Sequence, residues 1–166
     1  TRQAEKLYAK IMEAAALTGK EIVFDLYCGT GTIGLFCAAN EGAKKVYGIE
    51  LNPMAIENAR RNAARNNINN IEFFSGDVQK ILPSIKEKPD VVLVDPPRCG
   101  LTPKVTEKII DLRPKRLVYV SCNPAALARD AKIFIQNDFT LTSVQPVDMF
   151  PQTYHIESVA VFKSLS

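Results

Sequence analysis

Two rhythms of hydrophobic positions run along this chain. Leu7, Ile11, Ala14 and Ala15 recur at helical spacing, which predicts an amphipathic helix at the start. Short apolar runs of five or six residues follow at 21–26, 45–50, 71–75, 91–95 and 116–120. Runs of that length, rich in Val, Ile, Phe and Tyr, read as strands buried on both faces. Helical patterns separate them. One passes through Leu35, Phe36, Cys37, Ala38 and Ala39. A second is opened by Pro53 and carries Ala55, Ile56, Ala59, Ala63 and Ala64 toward Asn66 and Asn67. Two more span about 103–111 and, from Asn123-Pro124, to about 136. Proline suits the first helical position because its missing N–H would have no partner there. Two last strands are predicted at about 139–147 and 155–162, with no room for a helix between them.

Alternating strands and helices imply an α/β fold, Rossmann-like, with a mostly parallel seven-stranded sheet covered on both faces. The last two strands should pair antiparallel at the sheet edge. Such sheets bind ligands beyond the carboxyl ends of their strands, so the chemistry is expected just after each apolar run. The 166 residues suit one domain over 1–166. No apolar run approaches a membrane span, and the polar start is not a signal peptide, so no membrane partner is expected and the cytoplasm is the expected compartment. A net charge of +3 permits a nucleic-acid partner without demanding one. Cys28, Cys37, Cys99 and Cys122 form no Cys-x-x-Cys pair, so no metal site is expected in this chain.

Gly29-Thr30-Gly31-Thr32-Ile33-Gly34 follows the first strand and fits Gly-x-Gly-x-x-Gly, a turn that serves NAD, FAD or S-adenosylmethionine. Asp25, four residues earlier, helps to choose. A carboxylate there repels a pyrophosphate and favours a ligand with an ammonium and a sulfonium. Glu50 ends the second strand, where an acid accepts from ribose hydroxyls. Asp77 follows the third strand and either touches adenine or caps a helix starting at Val78.

Asp95-Pro96-Pro97-Arg98 leaves the fourth strand through a stiff turn that gives the acid a fixed direction. Ser121-Cys122-Asn123-Pro124 leaves the fifth. Cys122 then sits close to Asp95 and just before a helix N-terminus, a place that favours a thiolate. Cys37 reads as core, Cys28 belongs to the glycine turn, and Cys99 is the rival nucleophile. His155 and Glu157 share a face of the last strand. Glu157 has apolar neighbours, which raise a carboxyl pKa and suit a proton acceptor. The lone His155 reads as structural. Arg98, Lys104 and Arg129 lie near this end, whereas Arg60, Arg61 and Arg65 read as a solvated helix face.

A cysteine, a base and a methyl donor are the set that methylation of uracil carbon 5 needs. A thiolate adding at carbon 6 makes carbon 5 nucleophilic, and a base must later take the carbon 5 proton so that the thiol can leave. The motifs Asp25-Leu26-Tyr27-Cys28-Gly29-Thr30-Gly31, Asp95-Pro96-Pro97-Arg98, Val120-Ser121-Cys122-Asn123-Pro124, Leu127-Ala128-Arg129-Asp130, Asp148-Met149-Phe150-Pro151 and His155-Ile156-Glu157 resemble those of the RNA uracil-5-methyltransferases that modify transfer or large-subunit ribosomal RNA. The likeness covers nearly the whole chain. It implies S-adenosylmethionine as cofactor, RNA as partner, Cys122 as nucleophile and Glu157 as proton acceptor. By the same resemblance Tyr27, Thr32, Glu50, Asp77 and Asp95 match cofactor-binding positions; with Asp25, Gly29 and Gly31 of the glycine turn they make the expected cofactor site, and Asp95, Arg98 and Arg129, by their position, the expected substrate contacts. Such enzymes carry an N-terminal RNA-binding region, so the chain is expected to be a C-terminal catalytic portion. Two alternatives stay open. Cytosine-5 enzymes share the cysteine logic but resemble Asp-x-Pro-Cys, whereas here Arg98 separates Pro97 from Cys99. A nucleotide-dependent oxidoreductase has only the glycines in its favour.

Overall fold

The structure is a computed structural model, described for residues 2–39, 42–149 and 156–165. It opens with α1 (Arg2–Ala15), β1 (Ile22–Leu26), α2 (Thr32–Ala38), β2 (Lys45–Glu50), α3 (Pro53–Arg65) and β3 (Ile71–Ser75). A short α4 (Val78–Ile81) runs into a 3-10 turn (Leu82–Ser84). Then come β4 (Val91–Val94), α5 (Pro103–Leu112), β5 (Arg116–Ser121), α6 (Pro124–Ile135), β6 (Phe139–Val147) and β7 (Glu157–Ser164). Pro53, Pro103 and Pro124 each open a helix, and Asn52, Thr102 and Asn123 cap those helices by accepting from first-turn N–H groups.

The sheet has the order β3-β2-β1-β4-β5-β7-β6. All neighbours are parallel except β7, which runs antiparallel to both β5 and β6. The expected seven strands and edge pairing are present, with one refinement. The last strand is not at the edge; it is wedged between β5 and β6. It also begins at Glu157, and His155 lies outside the described residues.

Alternation along the strands sorts side chains onto two faces. Val23, Val46, Val91, Leu93, Val118, Val120 and Val159 pack with α1 and α2 on one face. Phe73 packs with α3 alongside them. Phe24, Leu26, Tyr47, Ile49, Val92, Val94, Leu117, Tyr119, Ala160 and Phe162 point to the other face, beneath α4, α5 and α6. The chain leaves β1 toward β2 on one side and returns at β4 on the other. That reversal puts a crevice beyond the carboxyl ends of β1 and β4, where this class of sheet binds ligands.

Candidate active site

Five side chains of the α1–α3 face converge on that rim. Asp25 lies between Phe24 and Leu26, so it points to the face opposite theirs, as Val23 does. Glu50, Asp95 and Glu157 continue the alternation of Val46, Leu93 and Val159 on the same face. Cys122 continues that of Val118 and Val120. The antiparallel register of β5 with β7 ends at Ser121 with Ser158, so Cys122 and Glu157 each lie one residue beyond it, at the same end of the pair. Because β7 runs backwards, its first residue shares the rim with the last residues of the parallel strands.

Asp25 is buried, and its Oδ2 accepts from the Gly34 N–H at 2.8 Å. Its Oδ1 is buried with no hydrogen-bond partner among the described residues. Burial pushes this carboxyl up to about 7, the Gly34 N–H pulls it back, and repulsion from Asp95 and Glu50 adds to the rise. Asp95 keeps solvent access but sits among enough protein atoms to be raised to about 6, with the Glu157 charge contributing. Burial also raises Glu157, as its apolar neighbours imply. Glu50 holds the glycine turn: its carboxylate accepts from Gly29 N–H at 3.1 Å and from Asn52 N–H at 2.9 Å.

This arrangement fits S-adenosylmethionine and disfavours a dinucleotide. The charges that perturb Asp25 and Asp95 are all negative, so a ligand bearing an ammonium and a sulfonium supplies what the rim lacks. Gly29 has a left-handed backbone (φ 54°), and a Cβ placed on it would meet nothing within 4 Å, leaving room for a ligand against the turn. The Gly29 N–H is already given to Glu50, so a phosphate would lose a donor there. Thr32 starts α2, and its Oγ1 lies 3.4 Å from that of Thr30. Gly31 caps that helix with φ 79°.

Tyr27 also adopts a left-handed backbone (φ 64°), an uncommon state for a residue with a side chain and one concentrated at functional turns. Its half-buried hydroxyl is pushed up to about 12, first by burial and then by Asp77. Asp77 caps α4 by accepting from Gln79 N–H at 2.7 Å, so the capping role is present. Its second oxygen has no hydrogen bond among the described residues.

The cysteines divide as expected. Cys28 and Cys37 are buried, and burial raises both thiols, Cys37 to about 12. Cys99 is exposed and Cys122 half-buried. Arg129, expected at the substrate, has partners within the protein: it donates to Asp130, to the Cys99 carbonyl at 2.8 Å and to the Leu101 carbonyl at 3.5 Å, while its side chain stays about half exposed. Arg98 remains the exposed cation of the Asp95–Arg98 turn, and Asn123 holds its carbonyl at 2.9 Å. Arg60 donates to the Phe73 carbonyl and Arg61 pairs with Glu57, in keeping with a helix face. Sequence reasoning missed Asp130 as a structural hub; the glycine at position 100 was the faint signal for it. Among the described residues no group of His, Cys, Asp or Glu could hold a metal, and no helix is long and apolar enough to cross a membrane.

The raised Asp25 gives a pH prediction. An acid whose folded pKa exceeds its unfolded value of about 3.9 favours folding when protonated, and the penalty grows as pH rises from about 4 to about 7. Asp25→Asn keeps an acceptor for Gly34 and removes the charge. Without cofactor, the variant should gain on the order of 1–2 kcal/mol at pH 8 over wild type and little at pH 4. Denaturant unfolding at the two pH values measures this; equal differences at both would contradict it.

Residues 17–154 match the family described as a methyltransferase domain. An uncharacterized RNA methyltransferase of Clostridium acetobutylicum is 51% identical over 97% of this chain. The chain spans 35% of that relative's length. The solved tRNA (uracil-54, C5)-methyltransferase of Pyrococcus abyssi, in complex with S-adenosyl-L-homocysteine, is 38% identical with a TM-score of 0.83. That match covers 96% of this chain and 38% of the other. An rRNA methylase of Streptococcus thermophilus shares the fold, with a TM-score of 0.77 at 19% identity, over 100% of this chain and 98% of its own. With its class I fold and S-adenosylmethionine as cofactor, the chain belongs to the methyltransferase-domain family.

Proposed function

We propose that this chain is the catalytic portion of an RNA methyltransferase that methylates carbon 5 of a uridine, with Cys122 as nucleophile and Glu157 as base. The observation that supports the reading is the β5–β7 pairing, which ends with Cys122 and Glu157 one residue beyond its last register step, at the end of the sheet that carries the acid-lined rim. Nitrogen methylation has no use for a thiol in that position. The relatives named as RNA methyltransferases and the similarity to a uracil-C5 enzyme point the same way.

S-adenosylmethionine, when bound, supplies an electrophilic methyl group on a cationic sulfur. Asp25, Glu50 and Asp95 surround the glycine turn that would hold it, with Tyr27 and Asp77 beside them. The Cys122 thiolate would bond to carbon 6 of the uracil, its C5–C6 double-bond pair shifting so that carbon 5 becomes nucleophilic; carbon 5 would take the cofactor's methyl, the S–CH3 bond pair staying on sulfur as S-adenosylhomocysteine leaves. Glu157 accepts the carbon 5 proton. The electrons of that C–H bond restore the ring double bond and expel the thiolate. Arg98 stands where it can meet the nucleotide's phosphate or a ring carbonyl.

RNA carrying tritium at uridine carbon 5 tests this. Each methyl transferred by the full-length enzyme should release one tritium to water. Methylation without release would place the methyl on nitrogen or ribose. Release only from cytidine-labelled RNA would make the base a cytosine.

A further inference from the structure

The loop following the Asp95–Arg98 turn and the helix following Cys122 are fastened together by a network with a buried acid at its centre. Asp130, on α6, is 1% exposed. Its Oδ2 accepts from the Tyr119 hydroxyl at 2.7 Å and from Leu101 N–H at 2.8 Å. Its Oδ1 accepts from Arg129 Nε at 2.9 Å and Nη2 at 2.7 Å. Arg129 in turn holds the Cys99 and Leu101 carbonyls, and Asn123, which caps α6, holds the Arg98 carbonyl. Gly100 has φ 80°, and a Cβ there would stand 2.5 Å from Arg129 and 2.6 Å from Asp130, so the loop is pressed onto the pair. Residues 98–101 are thus tied to α6 through Asn123, Arg129 and Asp130.

We infer that Asp130 and Arg129 are positioning residues, which hold the 98–101 stretch, and with it Arg98, in register with Cys122 so that a pyrimidine ring meets cation and thiol in one preset slot. This rests on the proposed function. Neither residue touches substrate in it. The network explains why an arginine whose side chain stays about half exposed gives its fork to its sequence neighbour and to two carbonyls. It also explains why an acid is kept deep in α6, where unpaired it would be costly. Loosening the network shifts the 98–101 stretch and Arg98 against the thiol, and misplacement of about 1 Å costs on the order of 10²-fold in rate. None of these bonds falls on the cofactor rim, where Asp95 is held separately through its N–H to the Leu26 carbonyl at 3.4 Å, so the rim should keep its affinity.

The test uses the full-length enzyme with Asp130→Asn and, in case that core change prevents folding, the gentler Arg129→Gln. Three quantities are read: melting temperature, S-adenosylhomocysteine affinity, and the single-turnover rate of covalent adduct formation with 5-fluorouridine RNA. The expected result for folded Arg129→Gln is a loss of roughly 10- to 100-fold in adduct rate, with cofactor affinity within about twofold of wild type. A general loss of structure would move both together. Adduct formation at the wild-type rate in folded Arg129→Gln overturns the positioning role alone. Failure of the wild-type enzyme itself to form an adduct overturns the uracil reading and the positioning role with it.

Discussion

Cys122→Ala in the full-length enzyme is expected to lower methyl transfer by at least about 10⁴-fold and to abolish the covalent complex with 5-fluorouridine RNA. The size of the effect follows from the chemistry. Without sulfur addition at carbon 6, carbon 5 of uracil is too poor a nucleophile to take a methyl group. The loss has no internal substitute. Cys28 and Cys37 are buried with raised thiols, and Cys99 sits in the loop that Arg129 ties down. Trimming a half-buried sulfur leaves the core intact, so melting temperature and S-adenosylhomocysteine affinity should stay near wild type. Denaturing gel electrophoresis of enzyme mixed with the fluorinated RNA reads the adduct directly. A surviving adduct in this variant would move the nucleophile to Cys99.

Glu157→Gln should separate the two halves of the reaction. The thiolate still adds and the methyl still transfers, but the carbon 5 proton has no acceptor, so the methylated adduct accumulates and turnover falls by about 10²- to 10⁴-fold. A base must be ionised to work. Burial raises the Glu157 carboxyl, so wild-type turnover should climb with pH through a midpoint above the ordinary glutamate range. The residual activity of Glu157→Gln should lack that midpoint. Mass spectrometry of the trapped peptide tells a methylated adduct from an unmethylated one. Normal turnover in the variant would hand the proton to another group, with Asp95 the first to examine.

Much of the fold was legible because its strands are short, apolar and sharply bounded. β2, β3 and β6 begin and end where the pattern places them, since glycine, asparagine, proline or a charged turn stands at their borders. α3, α5 and α6 announce themselves by a capping residue followed by proline. Less visible was whatever depends on distant neighbours. The place of β7 inside the sheet is set by pairing on both its edges, which no local periodicity encodes. The position of Asp25 after a buried run was legible, but not that one of its oxygens would be taken by Gly34 and the other left without a partner. Arg129 illustrates the limit most clearly. A cation near a predicted site suggests contact with substrate, yet its three-way engagement with Asp130 and two carbonyls exists only once α6 has folded against the 98–101 loop.

The position of β7 makes this strand a keystone. Among the described residues β6 pairs in the sheet only with β7, and Glu157 is the first residue of that same strand. A nonsense codon or a clip just beyond Val147 would therefore do two things at once, stripping out the proposed proton acceptor and leaving β6 with nothing to zip onto. Chains lost this way should surface as misassembled material instead of as a folded enzyme that has merely stopped turning over.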